Sequence, residues 1–454
     1  MKGSEMRRMR ALRATLLGCA LAGGAAASHA ADLLGIYKEA LAYDAQFAAA
    51  RSAVEAGREK LPQGRAGLLP TVGLSSNTTW NDADYRLRTT PPTNIPFKYN
   101  SNGWTVTLSQ PLFRWQNWVS YNQSELQVVQ AEAQFVSARQ DLINRVAQAY
   151  FDVLLAQETL ATTRAQKAAI AEQLEAAKRN FEVGTATITD TDEAQSRHDL
   201  AVAQEIAAEN DLVVKRHALA TIAGADHPAL KGLRPNVQLA RPQPDAMDKW
   251  VESAESGNPA VVAAKAGADI ASLEADKQRG GHYPTLDLVA TRGRNSATAN
   301  FAPSIGVLPG NDTDVTTVGV QLAIPLFAGG AVSSRSREAA ALREKARSDF
   351  DNARRTAALQ ARQAYLGVTS GLSQVKAYEA ALVSSQSALE SNKLGYEVGV
   401  RINIDVLNAQ SQLYDTRQRL AKARLDTLSA QLKLKAAAGG LTEDDLVAIN
   451  ALLE

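Results

Sequence analysis

The side chains that usually carry chemistry are few in this chain and poorly spaced for it. The histidines beyond the first thirty residues, His198, His217, His227 and His282, show no metal-ligand spacing, and neither a glycine-rich phosphate loop nor a nucleophile elbow occurs. Each reads as an ordinary helix-surface or loop residue. Cysteine occurs once, at Cys19. No catalytic residue, cofactor or metal is expected, and the polar residues that matter should bind or line something rather than transform it.

The surroundings of Cys19 explain its isolation. Lys2, Arg7, Arg8, Arg10 and Arg13 precede an apolar, small-residue stretch from Ala14 to Ala27, and Ser28-His29-Ala30 places small residues at the −3 and −1 sites of a cleavage point. Residues 1–30 therefore read as a signal peptide cut after Ala30. Leu16-Leu17-Gly18-Cys19 loosely resembles a lipoprotein box, but Arg13 leaves too short an apolar core before it. Cleavage removes five basic residues and one acid, leaving 44 Lys and Arg against 47 Asp and Glu. That balance gives nucleic acid no reason to bind. The mature chain has no cysteine, so burial and coiling must stabilise it. It also has no run of about 20 apolar residues to cross a membrane as a helix.

One offset of 214 to 215 residues aligns several separate stretches. Pro70-Thr71-Val72-Gly73-Leu74 matches Pro284-Thr285-Leu286-Asp287-Leu288, and Val106 to Phe113 matches Val320 to Phe327 with five of eight residues identical. Gln148-Ala149-Tyr150 matches Gln363-Ala364-Tyr365, and Phe181-Glu182-Val183-Gly184 matches Tyr396-Glu397-Val398-Gly399. Four matches in one order argue for duplication, with halves at about 31–225 and 245–440. The linker, 226–244, carries Pro228, Pro235, Pro242 and Pro244, and a C-terminal segment follows at 441–454.

From Leu112 to Val183 there is neither Pro nor Gly. A helix starting near residue 118 makes a rod on the order of 100 Å at 1.5 Å per residue. It ends at Gly184 and returns as a second helix, giving a hairpin over about 118–223; the second half repeats this over about 331–438, turning at Gly399. Thr189 and Asp190, or Asn403 and Asp405, are placed to cap the returning helices. In the second rod, Leu342, Ala346, Phe350, Ala353, Ala357 and Ala361 belong to an 11-residue period, which winds slightly right-handed or nearly straight.

Before each rod lies period-2 patterning. Val72, Leu74, Ser76, Thr78 and Trp80, then Trp104, Val106 and Leu108, alternate with polar or small residues; so do Leu286, Leu288 and Ala290, then Val318, Val320, Leu322 and Ile324. Strands are expected at about 70–86, 101–113, 284–296 and 315–327, with loops at 81–101 and 295–314. One apolar and one polar face is what lipid outside and water inside demand. Trp80, Trp104, Trp115 and Trp118 stand where an interfacial girdle would. Membrane barrels have at least about eight strands, so four imply several copies side by side. The competing readings are a periplasmic structural coiled-coil protein without a membrane barrel, or an adaptor; two hairpins and four amphipathic strands disfavour the adaptor.

With leader, duplication, strand pairs ending in Pro-Leu-Phe, and hairpins turning at Phe-Glu-Val-Gly and Tyr-Glu-Val-Gly, the chain resembles the TolC family of outer-membrane efflux and secretion channels, from Leu33 to Leu453. It is more similar to TolC itself than to the lipid-anchored drug-efflux branch. The resemblance implies an α+β membrane protein whose homotrimer shares a twelve-stranded barrel and a twelve-helix tunnel. It implies the outer membrane of a Gram-negative bacterium, with lipid around the barrel and a large periplasmic portion. The function implied is the passive exit duct of tripartite efflux or type I secretion systems. A periplasmic adaptor would dock at the turns, Gly184 and Gly399, joining an inner-membrane pump of RND, ABC or MFS type.

The resemblance also assigns residues. The closed periplasmic entrance is held in the family by polar links between the second-half hairpin and its neighbours, at positions matching Thr189, Asp190, Tyr396 and Arg401; Arg401 could pair with a carboxylate such as Asp190, and Tyr396 could donate a hydrogen bond. Asp405 matches a carboxylate ring at the constriction, where the best-known members carry a second Asp one turn on and this chain has Asn408. A weaker cation preference follows, with Asp192 and Glu193 as nearby acids that partly restore the charge.

Overall fold

Proline and glycine bound the long elements, and the duplication orders the short ones. The computed structural model describes residues 30–235, 237–302 and 306–454. The leader, Cys19 included, lies outside the described residues apart from Ala30. The first half runs α1 (Leu33–Tyr43), α2 (Ala45–Arg58), α3 (Lys60–Ala66), β1 (Thr71–Leu87), β2 (Thr93–Phe113), α4 (Trp115–Glu182) and α5 (Ile188–Ala223). The second runs α6 (Met247–Gly257), α7 (Pro259–Arg279), a short 3-10 turn, β3 (Thr285–Ala302), β4 (Gly306–Ala323), α8 (Ala331–Glu397) and α9 (Asn403–Ala437); α10 (Glu443–Asn450) closes the chain.

The repeat extends to helices that periodicity had not revealed. Asp44 caps α2 by accepting from Phe47 N at 2.7 Å, and 214 residues later Asn258 caps α7 by accepting from Ala260 N at 2.8 Å. Both side chains satisfy amides that a helix start leaves without partners. Short lengths and interruptions by Gly57, Pro62 and Gly64 hide α1–α3 from any long-window pattern.

The strands form one antiparallel sheet in the order β1-β2-β3-β4. They are longer than expected: β2 starts at Thr93 rather than near 101, β3 continues to Ala302, and β4 starts at Gly306 rather than near 315. Most of the polar segments read as loops are strand, because ladder bonds need only backbone groups and polar side chains on both faces do not prevent them. The other end also differs. Pro111-Leu112-Phe113 lies in β2, with a register shift against β3, whereas β4 ends at Ala323 and leaves Pro325-Leu326-Phe327 outside it. β2 has a neighbour on each side, and among the described residues β4 has one free edge.

Register places even-numbered residues on one face. Val72 opposes Leu108, Leu74 opposes Val106, Leu288 opposes Val320 and Ala290 opposes Val318. Odd-numbered residues fill the other face with Gly73, Ser75, Thr105, Thr107, Thr291, Gly293, Thr317 and Gly319. The apolar face has no cover among the described residues: Val72, Leu74, Val318 and Val320 are each more than 60% exposed. Where strands meet rods, Arg114 grips Asp287 through two hydrogen bonds of 2.7 and 2.8 Å. Phe327, 90% exposed, stands at the same level of the second half. None of the described helices is long and apolar enough to cross a membrane.

The largest core lies midway along the rods. Leu33, Ile36, Tyr37 and Ala40 of α1 pack on Leu142, Ile143, Val146, Tyr150 and Phe151 of α4, on Leu425, Leu428 and Leu432 of α9, and on Leu446 and Ile449 of α10. The fully buried Tyr150 donates its hydroxyl to Lys231 O at 2.7 Å, and burial pushes that phenol well above its ordinary pKa. Arg145 holds Asp44 through two hydrogen bonds of 2.9 and 3.1 Å. This belt packs α1 and α10 against the rods, and Asn450 of α10 bonds Asp32, the cap of α1, at 3.0 Å.

Candidate functional site: the hairpin tips

The two tips use one glycine device. After α4, Gly184 takes φ +81°, and its N–H bonds Phe181 O at 3.0 Å; after α8, Gly399 takes φ +78° and bonds Tyr396 O at 3.1 Å. A side chain at either position would be strained, so Gly terminates both rods.

The returning helices start differently. Thr187, not Thr189, caps α5: its hydroxyl accepts from Asp190 N, and Asp190 Oδ2 accepts from Thr187 N at 3.0 Å, a reciprocal capping box. Thr189 is exposed in the first turn. At the second tip Ile402 holds the cap position and supplies no side-chain bond. Asn403, expected as a possible cap, is 1% exposed and turns to the other hairpin, where it donates to Asp190 O at 3.2 Å and accepts from Gln173 Nε2. Asp405, the other cap candidate, stands in the first turn of α9.

The remaining residues divide between hairpins. Tyr396 accepts from Asn180 Nδ2 at 3.2 Å, linking the end of α8 to the end of α4. Within the chain Arg401, in the turn before α9, does not reach Asp190; it lies 3.6 Å from Asp405 in the first turn of α9. Its stem packs over Gly395, where an added Cβ would sit 2.7 Å from Arg401 Cγ. Asn408 accepts from Arg197 Nη2 of α5 at 3.0 Å. The sequence had pointed to Tyr396 and Asn408 but not to Asn180, Gln173 or Arg197, which stand among the many polar residues of a helix surface and become distinct only when the hairpins are side by side.

The packing beneath is thin: Ile170, Leu174, Ala177, Ala194, Ala201 and Leu407 form one small cluster, and Leu389, Val406 and Leu413 another. Val183, Val398, Val400 and Ile402 are 61–75% exposed at the extreme end. The arrangement offers single hydrogen bonds between hairpins, a carboxylate beside an arginine, and an uncovered apolar cap. No group of His, Cys, Asp and Glu able to hold a metal occurs among the described residues.

Known proteins resemble the chain over most of its length. A family model described as outer membrane efflux protein matches the chain twice, over residues 36–225 and 250–440. The chain is 31% identical to the outer membrane protein TolC of Vibrio cholerae, with 98% of this chain and 99% of that one covered. It is 34% identical to the alkaline protease secretion protein AprF of Pseudomonas aeruginosa, over 93% of this chain and 87% of that one. Among solved structures, the outer membrane protein VceC of Vibrio cholerae superposes with a TM-score of 0.76 at 19% identity, covering 90% and 96% of the two chains.

Proposed function

This chain belongs to the outer membrane efflux protein family and is a non-enzymatic outer-membrane channel of efflux and type I secretion, and from that premise we propose that three copies close into one duct gated at the hairpin tips. The observation that carries the assembly is the pair of open sheet edges. Among the described residues β1 and β4 each present a strand of 17 or 18 residues with no partner on one side, next to apolar residues suited to lipid. Edge-to-edge pairing of β1 with β4 of the next copy makes a ring that removes every free edge. Two copies would give eight strands, whose interior side chains nearly fill, whereas three leave a lumen.

In that ring the even face meets lipid and the odd face, with its glycines, serines and threonines, lines water. The domain reading that goes with it is two repeats, about 31–225 and 245–440; the double family match and the repeated caps at Asp44 and Asn258 support it.

At the periplasmic end, the tips around Gly184 and Gly399 are where an adaptor docks, joining the duct to an inner-membrane pump of RND, ABC or MFS type. The exposed Val183, Val398, Val400 and Ile402 suit such docking, since apolar tips gain by burial against a partner. Thr189, Asp190, Tyr396 and Arg401 form the gate, with Asn403 as its buried latch, and Asp405 with Asn408 lines the constriction. The test is to purify the protein from outer membranes in detergent and to measure its oligomeric state and bilayer conductance. A heat-sensitive trimer that conducts ions is expected; a soluble monomer would overturn the assembly.

A further inference from the structure

Along the strands the polarity of the two sheet faces inverts. In β1 and β2, from Val72 to Trp80 and from Trp104 to Leu108, the even face is largely apolar and the odd face small and polar; in β3 and β4 the even face turns charged sooner, with Arg292 opposite Val106 and Arg294, opposite Trp104, paired to Asp314. Farther from the rods, the even face carries Asp82, Asp84, Arg86 and Lys98, with Lys98 pairing Asp82 at 2.8 Å. There the odd face turns aromatic. Tyr85 stacks on Phe301 with ring centroids 3.9 Å apart and planes 13° from parallel. Phe97 lies 4.8 Å from Tyr99 and about 6 Å from both Tyr85 and Phe301. Phe97 and Phe301 sit four residues beyond the last register pair of β2 with β3, Ser101 with Ala297, so rings from three strands meet on one face. Phe97 is only 4% exposed although this sheet has no second layer, because its neighbours' rings close over it.

An outer face that is polar here cannot lie in hydrocarbon, so these ends project past the membrane into water. Aromatic residues on the inner face then serve neither lipid contact nor a wet lining. Resting on the three-copy assembly argued above, we propose that Tyr85, Phe97, Tyr99 and Phe301 of three copies form an apolar collar around the outer mouth of the duct. The odd faces of all copies must turn to one lumen once β1 pairs with β4, so the three clusters face each other across it. A twelve-stranded wall has a backbone radius of about 12 Å and an aromatic ring reaches about 6 Å inward, which leaves an opening on the order of 10 Å. Below the collar, Gly73, Ser75, Thr105 and Gly293 take little of the width. The collar is thus a second constriction in series with the periplasmic gate, of opposite chemistry: it disfavours hydrated ions, as apolar constrictions do, and admits cargo with an apolar surface.

The test uses the absence of cysteine from the mature chain. Thr105→Cys places a thiol in the lumen below the collar, and Asp82→Cys places one on the outer surface. Intact cells are treated from outside with a membrane-impermeant cationic thiosulfonate, so the periplasmic gate plays no part. In a Thr105→Cys background, Tyr85→Ala should speed labelling and Tyr85→Trp slow it, each at least threefold; Phe97→Ser/Phe301→Ser should speed it at least tenfold. Asp82→Cys should label at one rate throughout. Tyr85 is 37% exposed, so its two variants read the collar even where the Phe pair fails to assemble. Equal Thr105→Cys rates in heat-sensitive trimers with Ala, Tyr or Trp at position 85 would overturn the collar alone. Loss of the trimer from the parent protein would instead overturn the assembly beneath it.

Discussion

The equator and the hairpin tip share the long helices α4, α5 and α9 and are held in opposite ways. At the equator, Asp44 and Arg145 form a largely buried two-bond pair, Tyr37 and Tyr150 are fully buried, and α1 is bonded to α10 through Asp32 and Asn450. At the tip, hairpins meet through single bonds such as Asn180 to Tyr396, over clusters of a few aliphatic residues. Rods of 67 and 68 residues anchored at mid-length and weakly latched at one end can swing there without losing the core. Mobility belongs to the end with the least buried area, and this molecule concentrates its polar links between hairpins at that end.

Substitutions that break the contrast should rank accordingly. Arg145→Leu strands the buried Asp44 carboxylate and should cost about 2–4 kcal/mol of stability, seen as a lower melting temperature of the detergent-purified protein, while conductance of the surviving channels stays unchanged. An altered single-channel conductance would show that the equator also sets the opening. Asn403→Ala leaves Gln173 and Asp190 O without their partner, a loss of about 1–3 kcal/mol. If Asn403 is the latch proposed above, the variant should raise conductance and sensitise cells to large antibiotics, with a smaller drop in melting temperature than Arg145→Leu; a closed, unchanged channel would remove Asn403 from the gate.

Thr187→Ala removes one half of the capping box at the first tip and should cost about 1 kcal/mol of local stability. Hydrogen exchange confined to the start of α5 is the expected readout, and no comparable cap exists at Ile402 to lose. The smallest effect concerns Asn408. Its replacement by Asp adds a carboxylate, but Arg197 already lies within hydrogen-bond distance and would pair with it. Cation selectivity in bilayers should therefore rise only slightly in Asn408→Asp, and clearly in Asn408→Asp/Arg197→Gln. If the single variant is as selective as the double, Arg197 does not neutralise that position.

The equator also carries a pH dependence. Hydrogen bonds from the Arg145 guanidinium hold the Asp44 carboxyl below its ordinary pKa. A depressed folded pKa means the stabilisation is complete above the unfolded value, about 3.9, and is lost as pH falls through the folded one. Melting temperature should drop below about pH 4, and Asp44→Asn, less stable at neutral pH, should show a shallower drop. An identical acid profile in both would place the acid sensitivity elsewhere.

How far the fold was legible can be argued from particular residues. The rods, the turns at Gly184 and Gly399 and the alternation from Val72 to Trp80 are local patterns, visible because helix and strand periods are properties of the chain itself. The short helices α1–α3 escaped, since Gly57, Pro62 and Gly64 break the signal that tertiary packing then overrides. The outer halves of the strands escaped too, because Asn100, Thr298 and Asn311 read as loop residues although a ladder needs only their backbones. Among site residues, resemblance pointed to Tyr396, Asn408 and Arg401, but their partners within one chain, Asn180, Arg197 and Asp405, could be read only from the packed hairpins.

The sequence by itself determined the duplicated plan, the length of the rods, their two glycine stops and the presence of four strands with a wet and an apolar face, because each is written in spacings of a few residues. Only the tertiary structure decided that Asn403 latches one hairpin to the other, that Arg401 turns to Asp405, and that rings from three strands gather at the far end of the sheet. Those partners lie up to about two hundred residues apart. No local pattern fixes which surface residue meets which until strands in register and helices in contact bring them to one place.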